Sequence, residues 1–182
     1  MKLSKLVILI TIVGAFIFNS CKDDDDKLPD PSTNKTNTEK LVAKNWKLTA
    51  AVFNPPLVIT LGVKDSAFTN LFDIPLIQAC QKDNMFMFNN DTSRTMTIDN
   101  GPLKCGTEPQ TAKDGNWKFL NNETQIEITN SAYFSLINAS GVIIDKLVLN
   151  ETEMKGQTDY EFVNPLTQQK TKTKIDFTFT KM

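Results

Sequence analysis

Residues 174–180 read KIDFTFT. Ile175, Phe177 and Phe179 alternate with Lys174, Asp176 and Thr178. Successive strand side chains point to opposite faces, so a period of two marks a strand with one buried face and one wet face. The same period recurs upstream. Trp46, Leu48, Ala50 and Val52 alternate with Lys47, Thr49 and Ala51. Trp117 and Phe119 flank Lys118, and Ile126 and Ile128 alternate with Gln125, Glu127 and Thr129. Leu147 and Leu149 flank Val148, and Tyr160 and Phe162 flank Glu161. Turn-forming residues separate these runs: Asn89-Asn90-Asp91, Asn100-Gly101-Pro102, Asp114-Gly115, Asn121-Asn122, Ser140-Gly141 and Asn164-Pro165. Many short strands at this spacing predict an all-β fold, an antiparallel up-and-down barrel of about eight strands.

Two stretches depart from the pattern. In TNTEKLVAKNW, residues 36–46, Thr36 or Thr38 is placed to cap a short N-terminal helix over residues 39–44. Residues 54–79, NPPLVITLGVKDSAFTNLFDIPLIQA, read as a long, apolar first loop with a helical turn over residues 66–72. Such a loop is expected to fold over one end of the barrel, as a hydrophobic plug or as a lid over a ligand mouth.

The N-terminus speaks of address. Lys2 and Lys5 precede the apolar run of residues 6–18, whose 13 residues suit a signal-peptide core. A helix spanning a bilayer needs about 20. Phe18-Asn19-Ser20-Cys21 resembles a bacterial lipobox, with Phe18 where leucine is usual. The resemblance implies a lipoprotein signal peptide at 1–20 and a lipid on Cys21, which becomes the mature N-terminus. Lys22 followed by Asp23, Asp24, Asp25 and Asp26 resembles the export signal of Bacteroidota lipoproteins. It implies an outer-membrane anchor facing the cell surface, the alternative being a periplasm-facing one. Residues 21–37 are charged, proline-bearing and poor in apolar side chains, as a flexible tether requires. The barrel domain is assigned to 38–182.

Composition narrows the chemistry. Without Lys2 and Lys5 the mature chain has 18 basic residues against 21 acidic ones, so no basic surface for nucleic acid is expected. There is no histidine, which removes Ser-His and Cys-His catalysis and histidine-bound zinc. No glycine-rich phosphate loop or calcium loop appears. The expectation is a protein that is not an enzyme and carries no cofactor and no metal. With Cys21 lipidated, Cys80 and Cys105 remain as an even pair in an oxidising compartment, which predicts a disulfide.

Leu41-Val42-Ala43-Lys44-Asn45-Trp46-Lys47-Leu48 resembles the opening of the lipocalin-like lipoprotein family of Bacteroidota. Cys80-Gln81-Lys82-Asp83-Asn84 with Phe86 and Phe88, then Lys104-Cys105, Pro109-Gln110 and Gly115-Asn116-Trp117, continue the resemblance in order. Lipocalins open with Gly-x-Trp, where this chain has Lys44, and often set a last-strand arginine against that tryptophan. The sole arginine here is Arg94, so Lys172 and Lys174 are the candidate substitutes. The resemblance implies a surface-anchored barrel that binds a small hydrophobic molecule. Met85, Phe86, Met87 and Phe88, with Phe68 and Phe72 from the long loop, are the candidate ligand-binding residues. The alternative is a filled barrel that binds a protein or glycan partner through its loops. Asp65-Ser66-Ala67 resembles a short O-glycosylation motif of Bacteroidota envelope proteins.

Overall fold

The computed structural model describes residues 35–182, apart from 43, 62, 63, 76, 165 and 166. The expected signal peptide, Cys21, the residues from Lys22 to Asp26 and most of the expected tether lie outside the described residues. Among the described residues nine strands follow one another: β1 (Asn45–Leu61), β2 (Lys64–Asn70), β3 (Met85–Phe88), β4 (Thr95–Asp99), β5 (Thr111–Leu120), β6 (Gln125–Thr129), β7 (Val142–Leu149), β8 (Glu153–Val163) and β9 (Lys170–Lys181). All neighbours are antiparallel. β1 pairs with β3 on one side and β9 on the other, so β1 and β3 to β9 close an eight-stranded barrel. Two short helices, α1 (Asn37–Val42) and α2 (Ala79–Lys82), precede β1 and β3. Among the described residues no helix is long and apolar enough to cross a membrane.

The period-two strands become the wall as expected, with shifts of phase at bulges, the first of them in β1. Trp46 and Leu48 point inward, but so do Ala51 and Phe53, while Val52 is exposed. The pairing of β1 with β9 slips between Leu48 and Ala50. One extra residue in a strand reverses the side on which every later residue falls. Ala50 and Val52 were expected inside for lack of that bulge.

The stretch read as a long loop is instead the upper half of β1, the strand β2 and two short turns. Leu57 to Leu61 pair with Phe68 to Lys64. Pro55 and Pro56 conceal this continuation in the sequence. They fall where the β1–β2 ladder is interrupted, between Val52 and Leu57, and a proline's missing N–H costs nothing at such a bulge. The expected helical turn is confined to Leu71–Asp73, where the Asn70 side chain accepts from the Phe72 N–H at 3.0 Å.

The floor of the barrel, where β1 begins, is sealed by α1. Thr36 Oγ1 accepts from the Glu39 N–H (3.2 Å) and Glu39 Oε2 accepts from the Thr36 N–H (2.8 Å), a reciprocal cap at the first turn. Trp46 is fully buried and its Nε1 donates to the Leu41 carbonyl at 2.8 Å, tying helix to strand. Lys44, two residues before Trp46, turns under the floor. Its ammonium donates to the Glu151 carbonyl at 2.6 Å and pairs with the Glu151 carboxylate. Lys172 and Lys174 do not approach Trp46; they pair with Glu161 and Asp159 on the outer wall. Arg94 lies 4.8 Å over Trp117 instead.

The interior is closed by an insertion from the connection between β6 and β7. Phe134 is 1% exposed and its ring lies 5.5 Å from Phe86, 6.4 Å from Phe177 and 6.5 Å from Phe179. It reaches across from the β6–β7 side to β3 and β9. Trp46, Phe88, Met96, Ile126, Ile128 and Ile144 are buried around this cluster.

The hydrogen bond from Lys44, with the Lys44 and Lys35 charges, holds the Glu151 carboxyl below its ordinary range. A depressed folded value adds stability above the unfolded value, and that stability is lost as pH falls through the folded one. Replacing Glu151→Gln is therefore expected to flatten the acid limb of the thermal midpoint. Unfolding scans of both proteins between about pH 3 and 7 measure it.

Candidate functional site

The six candidate ligand residues lie on different faces. Phe86 and Phe88 point inward and are fully packed, Phe86 opposite Trp46 and Phe88 against Trp117 at 5.9 Å. Met85 and Met87 occupy the other face of β3 and are half-buried. Phe68 on β2 and Phe72 in the turn after it are half-buried and pack against the core. The structure does not gather these side chains around one mouth.

It does assemble a groove at the opposite end from α1. One wall is α2, whose first turn is closed by the Gln78 N–H donating to Gln81 Oε1 at 2.8 Å. The facing wall is the β4–β5 loop, which folds on itself: Asn100 Nδ2 donates to the Pro109 carbonyl (2.8 Å) and Gln110 Nε2 to the Gly101 carbonyl (3.0 Å). The predicted disulfide joins the two walls, Cys80 to Cys105, with Cα atoms 5.2 Å apart. Asp83 adds a second tie, its Oδ2 accepting from the Leu103 N–H at 3.0 Å. Gly101, at φ +62°, lets the loop pass so close that a Cβ there would stand 2.6 Å from Asp83 Oδ2.

The third wall is residues 131–136. Asp114-Gly115 reads as a turn in the sequence but lies inside β5, where Gly115 has φ +111° and abuts the Thr129 carbonyl. Asp114 is buried there. Its Oδ2 accepts from Ser131 Oγ (2.6 Å), its Oδ1 from the Ala132 N–H (2.8 Å), and Ser131 Oγ accepts from the Phe134 N–H (3.0 Å). This chain of bonds places Phe134 in the core and Tyr133 at the groove. Tyr133 Oη donates to the Gln81 carbonyl at 3.3 Å, tying the third wall to the first. Burial, and then the Asp114 charge, push the Tyr133 phenol well above its ordinary value, so it stays a donor.

The three walls enclose about 490 Å³, lined by Gln78, Gln81, Asn84, Asn100, Glu108 and Lys113 among others. Small-molecule sites occupy roughly 300–1,000 Å³. Asn84, only 6% exposed, stands out because its Oδ1 is buried and accepts no hydrogen bond. A buried acceptor left unpaired costs about 1–3 kcal/mol. Asn84 falls within the Cys80–Asn84 motif, but nothing in its spacing distinguishes it from a surface asparagine. Tyr133 and Phe134 carry no period at all. Among the described residues no cluster of acidic or cysteine side chains is arranged to hold a metal.

No protein-family model matches the chain, and no curated protein or solved structure matches it.

The Cys80–Cys105 bond closes a loop of 25 residues' separation, worth roughly 3–4 kcal/mol by chain entropy. The double variant Cys80→Ser/Cys105→Ser is expected to lose about that much stability while keeping the far-UV strand spectrum. Urea unfolding gives the difference.

Proposed function

We propose that this protein is a lipocalin-like lipoprotein of the cell envelope, anchored by a lipid on Cys21. In this reading its barrel is a filled scaffold presenting a recognition groove to a glycan or protein partner. The observation that carries the reading is Phe134. A carrier of apolar molecules needs an empty interior, and this ring fills the space between Phe86, Phe177 and Phe179. A groove stays open at the mouth, and four amide residues, Gln78, Gln81, Asn84 and Asn100, are among those that line it.

The layout suits an anchored receptor. Lys35 pairs with Glu151 at 3.5 Å beneath the floor. Lys35 lies fourteen positions beyond Cys21, a stretch that reaches at most about 50 Å when extended. The described domain thus begins at the floor end of the barrel, away from the mouth groove. The acidic run from Asp23 to Asp26 would be repelled by anionic headgroups and keep the tether solvated.

Two measurements test this. Mass spectrometry of the protein taken from its native membrane is expected to show an N-terminus at Cys21 carrying acyl chains; an unprocessed Met1 would remove the anchor. Titration with a fluorescent fatty acid is expected to show no saturable uptake by the full chain. The Phe134→Ala variant should gain uptake, at a cost of about 3–5 kcal/mol in stability. Stoichiometric uptake by the unaltered protein would restore the carrier.

A further inference from the structure

We propose that the upper edge of β8, residues Thr158–Val163, captures an extended segment of another protein as an added strand. The site lies apart from the mouth groove and does not depend on what that groove holds.

The barrel wall parts between β7 and β8 toward the mouth. Their pairing ends at Asp145 and Gln157. Beyond that point Val142–Ile144 pair with β6 alone, and Thr158–Val163 pair with β9 alone. Along an antiparallel strand, alternate residues direct both backbone groups to the same side. Among the described residues, the N–H and C=O groups on the β7 side of Thr158–Val163 therefore meet no strand.

An open cleft of about 550 Å³ lies beside this edge. It is lined by the consecutive residues Asp159, Tyr160 and Glu161 of β8, together with Ile137 and Asn138 from the β6–β7 connection. Apolar side chains flank the gap as well: Ile143 on β7 and Val163 on β8 are each 41% exposed. A free edge with room next to it is complemented by an extended main chain, which supplies donors and acceptors at the matching spacing.

Charge decides whose main chain it is. Asp159 and Glu161 lie on the outer face of β8. A second copy of the same edge, set antiparallel in the registers that overlap most, would bring Asp159 opposite Glu161 or oppose an acid to itself. Like charges directly opposite each other are destabilising. Lysines of β9 pair with both acids from the other side, yet the Asp159 side chain stays 83% exposed. A strand added on the β7 side would lie about 5 Å from β8, directly across from these carboxylates. The segment that fits alternates basic and apolar residues. Its basic side chains meet Asp159 and Glu161, and its apolar ones meet Tyr160 and Ile137 on the other face.

The test follows fluorescence anisotropy as the full chain is added to labelled peptides of about six residues that alternate lysine with valine, leucine or phenylalanine. At least one is expected to bind. N-methylating either alternate set of its amides removes donors and keeps the charge, and at least one of the two versions should lose binding. Equal binding by all three would mark a bare charge contact and overturn strand capture. Asp159→Lys/Glu161→Lys should weaken the lysine peptide by about tenfold and take a glutamate-for-lysine version instead. Both residues are exposed, so this variant is expected to fold. Amide hydrogen exchange read by NMR is an independent arm. In the free protein the β7-facing amides of Thr158–Val163 should exchange much faster than their β9-bonded neighbours, and they should slow when the peptide binds. Slow exchange in the free monomer means that the chain itself covers the edge, and slow exchange in a dimer means that a second copy does. Either result overturns the proposal, as does the absence of binding across the panel.

Discussion

The ring of Phe134 crosses from the β6–β7 connection to Phe177 and Phe179 on β9, and Asp114 and Ser131 hold its backbone in place. Eight strands leave an interior just wide enough to be filled by side chains or to hold one small ligand. One inserted aromatic decides between these outcomes. The cost of keeping the Asp114 carboxylate buried is offset by hydrogen bonds from a hydroxyl and a backbone amide. The segment that fills the core therefore also fixes the third wall of the groove, because Tyr133 precedes Phe134 directly.

The two ends of the barrel divide the work. At the floor, α1, Trp46 and the Lys44–Glu151 pair satisfy one another, and the end is closed mechanically. At the mouth, ties of three kinds hold the walls: a covalent bond, a carboxylate on a backbone amide, and a phenol on a carbonyl. These hold apart walls that line an open groove. Walls fixed in advance in this way are what a binding site needs.

Much of the barrel was legible because strand burial repeats every two residues and turns have their own chemistry. Asn121 and Asn122 adopt φ of +49° and +54°, the left-handed conformation that asparagine tolerates in a tight hairpin. The disulfide followed from counting cysteines. What escaped was whatever breaks period two. Thr49 shifts the phase of β1, Pro55-Pro56 conceals its upper half, and Asp114-Gly115 serves a bulge with the residues of a turn. The site was less legible than the fold. Tyr133 gains its contact with Gln81 from segments that meet only in space, and the expected ligand aromatics Phe86 and Phe88 were drawn into the core by the same alternation that identified their strand.

The seam between β1 and β9 has a kinetic meaning. It pairs Trp46 with Lys181, residues 135 positions apart, so the first barrel strand cannot find its partner until almost the whole domain is present. Hairpins such as β8–β9 form from nearby residues, but the ring closes only through this most distant contact, and distant contacts slow folding. A chain emerging N-terminus first would expose the inner faces of β1 and β3 until β9 arrived. Delayed closure leaves the last strand in control of when the barrel becomes a folded object.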